Sequence, residues 1–109
     1  MCNLKFGEGV LIMIERHVTF HVIPGKEGDF GTLFKDEYSV AMSKQPGFVS
    51  VTLLKEHERE AFYQMVIRFQ SLETAAAWRD SADHKALSPK IKALYNESTV
   101  QVYEVISQK

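Results

Sequence analysis

AFYQMVIRFQSLETAAAW, residues 61–78, holds a strand and a helix end to end. Ala61, Tyr63, Met65, Ile67 and Phe69 fall on one side of a period-2 alternation, and Phe62, Gln64, Val66, Arg68 and Gln70 form a more mixed opposite side. That is the pattern of a strand with one face on a core. Ser71 ends the strand and offers its hydroxyl to the unpaired N–H groups of a helix start, with Glu73 in the first turn, where the helix dipole favours an anion. Ala75, Ala76 and Ala77 are the residues that cost least in a helix, and Trp78 follows them as a large anchor, a centre of packing and a candidate for function.

Working outward, Phe48–Lys55 alternates in the same way, and the polar tip Glu56–Glu60 joins it to the strand above as an antiparallel hairpin. Upstream, Ile14–Ile23 alternates Ile14, Arg16, Val18, Phe20 and Val22 against Glu15, His17, Thr19, His21 and Ile23, until Pro24-Gly25 stops it. Between them, Phe30, Leu33, Phe34, Tyr38, Ala41 and Met42 recur at steps of three and four, predicting a helix over 26–44 closed by Gln45-Pro46-Gly47. Downstream, Ser81-Ala82-Asp83 interrupts the second helix. Ser88-Pro89 has the form of an N-cap followed by Pro at the first helical position, predicting a short helix through Tyr95, and Thr99–Ile106 reads as a last strand.

The order is β-α-β-β-α-β, an α+β ferredoxin-like arrangement with a four-stranded antiparallel sheet and both helices on one face. The helix-covered face is expected to hold Val18, Phe20, Val22, Val49, Val51, Leu53, Met65, Ile67, Phe69, Val100 and Val102. The other face is expected to show His17, Thr19, His21, Phe48, Ser50, Thr52, Leu54, Phe62, Gln64, Val66, Arg68, Gln101, Tyr103 and Val105. It is too apolar for bulk water and too polar for a monomer core, and it suits the interface of a homodimer.

At 109 residues and 45% hydrophobic, the chain has the size and composition of one domain around one core. Residues 1–12 read as an N-terminal arm or extension, with Met13 an alternative start, and residues 13–109 as the domain. Thirteen basic residues against 14 acidic ones give a net charge of -1 with no basic patch, which argues against nucleic acid and an anionic membrane as partners. The run Val10–Ile14 is too short for a membrane span and fails as a signal peptide because Glu15 interrupts it. A single cysteine, Cys2, excludes an internal disulfide, and with no zinc-like Cys/His spacing it suits a cytoplasmic location. His17 and His21 share a strand face without a good third ligand, so no metal is expected there.

Taken together, IERHVTFHVIPGKEGDF, QPGFVSVTLL, YQMVIRFQSLETAAAWRDSADHKAL and VQVYEVI, in this order from Met13 to Ile106, resemble the antibiotic biosynthesis monooxygenase (ABM) family of the dimeric α/β-barrel superfamily. The resemblance implies a dimer built through the sheets, and a cavity between sheet and helices. It implies an oxidoreductase activity among several: cofactor-free oxygenases acting on anthrones and quinols share the family with haem-degrading enzymes. For the haem branch only Trp78 matches. The positions where that branch has an Asn and a haem-ligating His fall on Val18 and Ser88, which disfavours haem degradation.

The implied cavity makes Arg16, Tyr38 and His84 the candidate catalytic residues and Trp78, Phe20 and Met42 the candidate substrate-binding ones. Tyr38 lies on the buried stripe with a hydroxyl in need of a partner. His84 falls in the break between helical segments, with an ordinary pKa near neutrality. On the oxygenase reading no cofactor is needed: His84 is the base, Tyr38 or Arg16 the donor to a developing oxyanion, and Trp78 the wall against a small aromatic or quinol-like molecule. The alternative is a non-catalytic dimeric ligand-binding or stress-associated protein.

Overall fold

The computed structural model describes residues 12–109; the N-terminal arm read in the sequence lies almost wholly outside them. The elements are β1 (Ile14–Val22), α1 (Glu27–Leu33), a π-helical turn (Phe34–Tyr38), α2 (Ser39–Ser43), β2 (Phe48–Lys55), β3 (Phe62–Phe69), α3 (Leu72–Asp80), α4 (Ala82–Lys92) and β4 (Tyr95–Glu104). The strands form one antiparallel sheet in the order β2-β3-β1-β4, the ferredoxin-like α+β arrangement. Its helix side carries the core: Phe20, Val22, Met65, Ile67 and Phe69 of the sheet are buried against Phe30, Leu33, Tyr38, Met42, Trp78, Leu87 and Ile91.

The first helix is continuous but not uniform. Phe30, Phe34, Tyr38 and Met42 are spaced by four, and each such step drifts about 40° round an α-helix, so an unbroken α-helix turns Met42 about 120° away from Phe30. The π turn takes most of that rotation back. Ser39 N–H donates to the Phe34 carbonyl, five residues back, and the Ser39 hydroxyl donates to the Lys35 carbonyl at 3.2 Å. Phe30, Tyr38 and Met42 are all buried as a result.

Ser71 caps α3 as its sequence predicts. Thr74 N–H donates to Ser71 Oγ and Ser71 N–H to Thr74 Oγ1, each at 3.1 Å, a reciprocal box that satisfies two otherwise orphaned donors. Against this box sits Gly47, with φ +80°, whose carbonyl accepts from Gln70 N–H at 2.8 Å. A Cβ at Gly47 would lie 2.5 Å from the Thr74 side chain, so the chain entering β2 can approach α3 only as glycine.

Five expectations need correction. The last helix does not start at Ser88-Pro89: Ser81 caps it, and α4 runs through Pro89 because Leu87 and Ile91, four residues apart, are both buried on its inner side. That helix ends before Tyr95, which opens β4, so the last strand is Tyr95–Glu104 rather than Thr99–Ile106; β1 offers a ladder from Val22↔Tyr95 to Ile14↔Glu104, and pairing prevails over the poor strand propensity of Asn96 and Glu97. Phe48 changes face, because an irregularity between Phe48 and Ser50 sets it opposite Phe69, at 5.9 Å between rings, on the helix side. Ala61 is not in the strand but in the turn before it, at φ 65°. Val49, Val100 and Val102 are exposed rather than covered; the last two, 49% and 53% exposed, register with Val18 and Arg16 at the sheet edge that the helices do not fully roof.

Gly47→Ala is therefore expected to destabilise the fold by about 2 kcal/mol or more, combining left-handed backbone strain with the Thr74 clash. Gly28→Ala, where an added Cβ meets nothing within 4 Å, should be neutral or stabilising by up to about 1 kcal/mol. Denaturant midpoints of the two variants check the contrast; an unaffected Gly47→Ala variant contradicts it.

Candidate active site

Between the sheet and α3–α4 lies a cavity of about 180 Å³. Its floor comes from β1 and β4: Arg16, Val18 and Phe20 occupy alternate positions of β1, so period 2 alone aims them to the same side, and Ser98 and Val100 sit opposite Phe20 and Val18. The π turn delivers Tyr38. The roof is Trp78 and Arg79 at the end of α3 and His84, Ser88, Ile91 and Lys92 along α4.

Three rings form the inner corner. Tyr38 and Trp78 meet edge to face at 5.6 Å, Trp78 and His84 at 5.1 Å, and Tyr38 and His84 at 6.1 Å between centroids. Such contacts are worth about 0.5–1.5 kcal/mol each beyond burial, enough to hold the rings in place. One hydroxyl joins the two helices behind them: Ser81 Oγ donates to the Trp78 carbonyl at 2.7 Å and accepts from His84 N–H at 3.1 Å. His84 is thus in the first turn of a capped helix and half-buried, not on a loop as its sequence context suggests.

The electrostatics follow from burial and from like charges. Burial holds His84 below its ordinary pKa, and Arg16, Arg79 and Lys92 push it further down, with Asp80 pulling weakly the other way. At neutral pH His84 is an uncharged imidazole, able to accept a proton. Burial pushes the Tyr38 phenol up to about 12 despite Arg16, so it stays protonated and is able to donate. Arg16 is lowered by burial first and by Arg79 second, and Tyr38 opposes the shift.

Of the residues singled out in the sequence, Arg16, Tyr38, Trp78, His84 and Phe20 all line this cavity, whereas Met42 is fully buried in the core and does not. Arg79, Lys92, Tyr95 and Ser98 were not anticipated. Arg79 had a signal, being next to Trp78; Lys92 had none once the last helix was started seven residues too late. Val18 and Ser88, where the haem-degrading branch would place an amide and an axial imidazole, both face the cavity and supply neither. Among the described residues no three His, Cys, Asp or Glu side chains converge to hold a metal ion, and no helix is long and apolar enough to cross a membrane.

The family model described as Antibiotic biosynthesis monooxygenase matches residues 13–90. Solved structures share the fold at low identity. A protein from Caulobacter crescentus, provisionally named an antibiotic biosynthesis monooxygenase, superposes with a TM-score of 0.81 at 17% identity, over 89% of this chain and 92% of that one. A variant of SnoaB, a cofactor-independent oxygenase from Streptomyces nogalater, gives 0.79 at 18% identity, over 88% and 95%. A conserved protein from Methanosarcina mazei gives 0.77 at 18% identity, over 85% and 92%. No curated protein matches the chain.

The imidazole supplies a direct check. An NMR titration should place the His84 pKa below 6.5, and Arg79→Gln should raise it without restoring the ordinary value, since burial is the larger cause. The depressed pKa means that the unfolded chain binds the His84 proton more readily, so the fold loses stability as pH falls below about 6.5. A His84 pKa at or above 6.5 contradicts this electrostatic picture.

Proposed function

The chain belongs to the antibiotic biosynthesis monooxygenase family, and from that premise we propose that it is a small cofactor-independent monooxygenase acting on an aromatic or quinol-like metabolite. The observation that carries the reading is the convergence of an uncharged imidazole, a protonated phenol and a guanidinium on one aromatic-walled cavity. The relative SnoaB, described as a cofactor-independent oxygenase, supports the reaction class.

In this reaction His84 takes the proton from a ring hydroxyl of the bound substrate. The resulting electron-rich anion reduces dioxygen directly, so both oxygen atoms are reduced at the substrate's expense: one is retained on a ring carbon as the quinol becomes a quinone, and the other leaves as water. Tyr38 O–H and the Arg16 guanidinium hold the negative charge as it moves onto oxygen, in a site where little water competes. Trp78 and Phe20 keep the ring in register with these groups. With His84 held below its ordinary pKa, the base is available across the neutral range.

The same reading includes a homodimer, supported by the sheet face away from the helices. There Glu15 pairs with Arg68 and His17, each at 2.6 Å, which holds its carboxyl below the usual range. His17 meets Tyr103 at 4.7 Å, and Leu54 and Tyr103 are exposed on this face beside the exposed His21, Thr52 and Gln101 and the half-buried Phe62 and Val66. A second sheet covers that mixture well, whereas water does not. A single cysteine is consistent with a cytoplasmic setting.

Purified protein should consume oxygen with a quinol substrate, and His84→Ala should slow turnover by about 10²-fold or more while leaving the quinol affinity largely intact. An oxygen electrode with a panel of quinols measures both. Full activity in the variant removes His84 as base, and no uptake with any of the panel turns the reading to a non-catalytic binding protein. Light scattering behind a sizing column should report a dimer; a monomer at micromolar concentration contradicts the paired sheets.

A further inference from the structure

We infer that the cavity takes a single-ring hydroxyaromatic that carries an anionic group, gripped by Arg16 and Arg79. The inference deepens the proposed activity, and it relies on that reading only for the identity of the site.

Charge is the first ground. Three cations line the cavity, Arg16, Arg79 and Lys92, and among the described residues no Asp or Glu lines it. This is not composition spilling over, because the chain as a whole is slightly acidic, at -1. Among the described residues none of these cations is in an ion pair: the pairs join Glu15 to His17 and Arg68, Glu56 to Arg59, and Glu37 to Lys90. Arg16 is half-buried on the inner side of the sheet, and Arg79, exposed at the cavity rim, adds a like charge to the burial that already lowers it. An anion placed between the guanidiniums relieves the repulsion on Arg16 and meets two planar donor forks suited to carboxylate.

Size is the second ground. A cavity of about 180 Å³ is below the range of roughly 300–1,000 Å³ that holds drug-sized ligands, and close to the roughly 150 Å³ that takes up benzene. That volume matches one substituted ring. The walls agree with this: Tyr38, Trp78 and His84 present ring edges and faces, and Val18, Ile67 and Ile91 add apolar surface. The ring lies among these residues with its acidic substituent toward Arg16 and Arg79 and a hydroxyl toward His84. The same cations then make that hydroxyl easier to ionise, which assists an uncharged base.

Anaerobic calorimetric titrations with gentisate, its methyl ester and hydroquinone test the inference without any turnover. These three probes share an oxidisable ring and differ in charge and bulk. Gentisate is expected to bind about tenfold or more tightly than the ester or hydroquinone, with a preference that shrinks as salt is raised. Arg16→Gln and Arg79→Gln should each reduce that preference to about threefold or less, while Arg79→Lys retains most of it. Because the chain has one tryptophan, Trp78, its single indole N–H resonance should shift on binding and localise the ligand to this cavity. Equal or weaker binding of gentisate than of its ester, no binding by any probe, or a preference that survives both Gln substitutions overturns the inference. Its fate is separable from that of the activity: oxygen uptake with hydroquinone but no preference for the acid leaves the monooxygenase standing alone, and tight gentisate binding with no uptake leaves the anion site standing alone.

Discussion

A single hydroxyl, that of Ser81, holds the cavity together. It donates to the last part of α3 through the Trp78 carbonyl and accepts from the first turn of α4 through His84 N–H. Two helices that would otherwise be joined by a free hinge therefore meet at a fixed angle, and the two rings they carry are set 5.1 Å apart. Ser81 itself is extended, at φ -69° and ψ 155°, so it ends one helix and begins the next without a loop. N-caps of this kind contribute about 1 kcal/mol, and here the same group also decides where an indole and an imidazole face each other. Tyr38 completes the corner only because the π turn re-aims the first helix at that position.

The two faces of the sheet solve opposite electrostatic problems. On the open face charges are matched: Glu15 lies between Arg68 and His17, and Arg68 also donates to Gln108 at 2.6 Å. On the helix face they are unmatched: Arg79 adds to the burial that lowers Arg16, and among the described residues no carboxylate lines the cavity. Buried charge without a partner is costly, and proteins keep it mainly where a ligand supplies the partner. The contrast between a neutralised interface-like surface and an uncompensated cavity is the physical basis for placing chemistry on one side and assembly on the other.

Much of this was legible before any coordinates. Period-2 alternation in Ile14–Val22 and Phe62–Phe69 aims Arg16, Val18 and Phe20 inward, and Ser71 with the alanines after it starts α3 where expected, so Trp78 falls on the cavity wall. The errors share a cause, which is that local signals compete with tertiary ones. Ser88-Pro89 has the chemistry of a helix start, yet Leu87 and Ile91 are packed as one helix through it. Asn96 and Glu97 are poor strand formers, yet β1 had an edge to be paired. Phe48 is displaced by a bulge that alternation cannot show. Met42 sits on the right stripe of the right helix but one turn beyond the cavity, in the core. The family resemblance named the fold and the cavity side; it did not announce Arg79 and Lys92, whose meaning appears only when three separated segments bring their charges together.

The central claim is that a substrate ring reacts in the corner made by Tyr38, Trp78 and His84. A crystal structure of the protein soaked without oxygen in an oxidisable single-ring hydroxyaromatic addresses it most directly. The account predicts ring density against the Trp78 indole, with one hydroxyl oxygen within hydrogen-bond distance of His84 and another polar group against Arg16. A ligand seated elsewhere, for instance beside Leu54 and Phe62 at the hairpin, with the cavity under α4 holding only water, would contradict it.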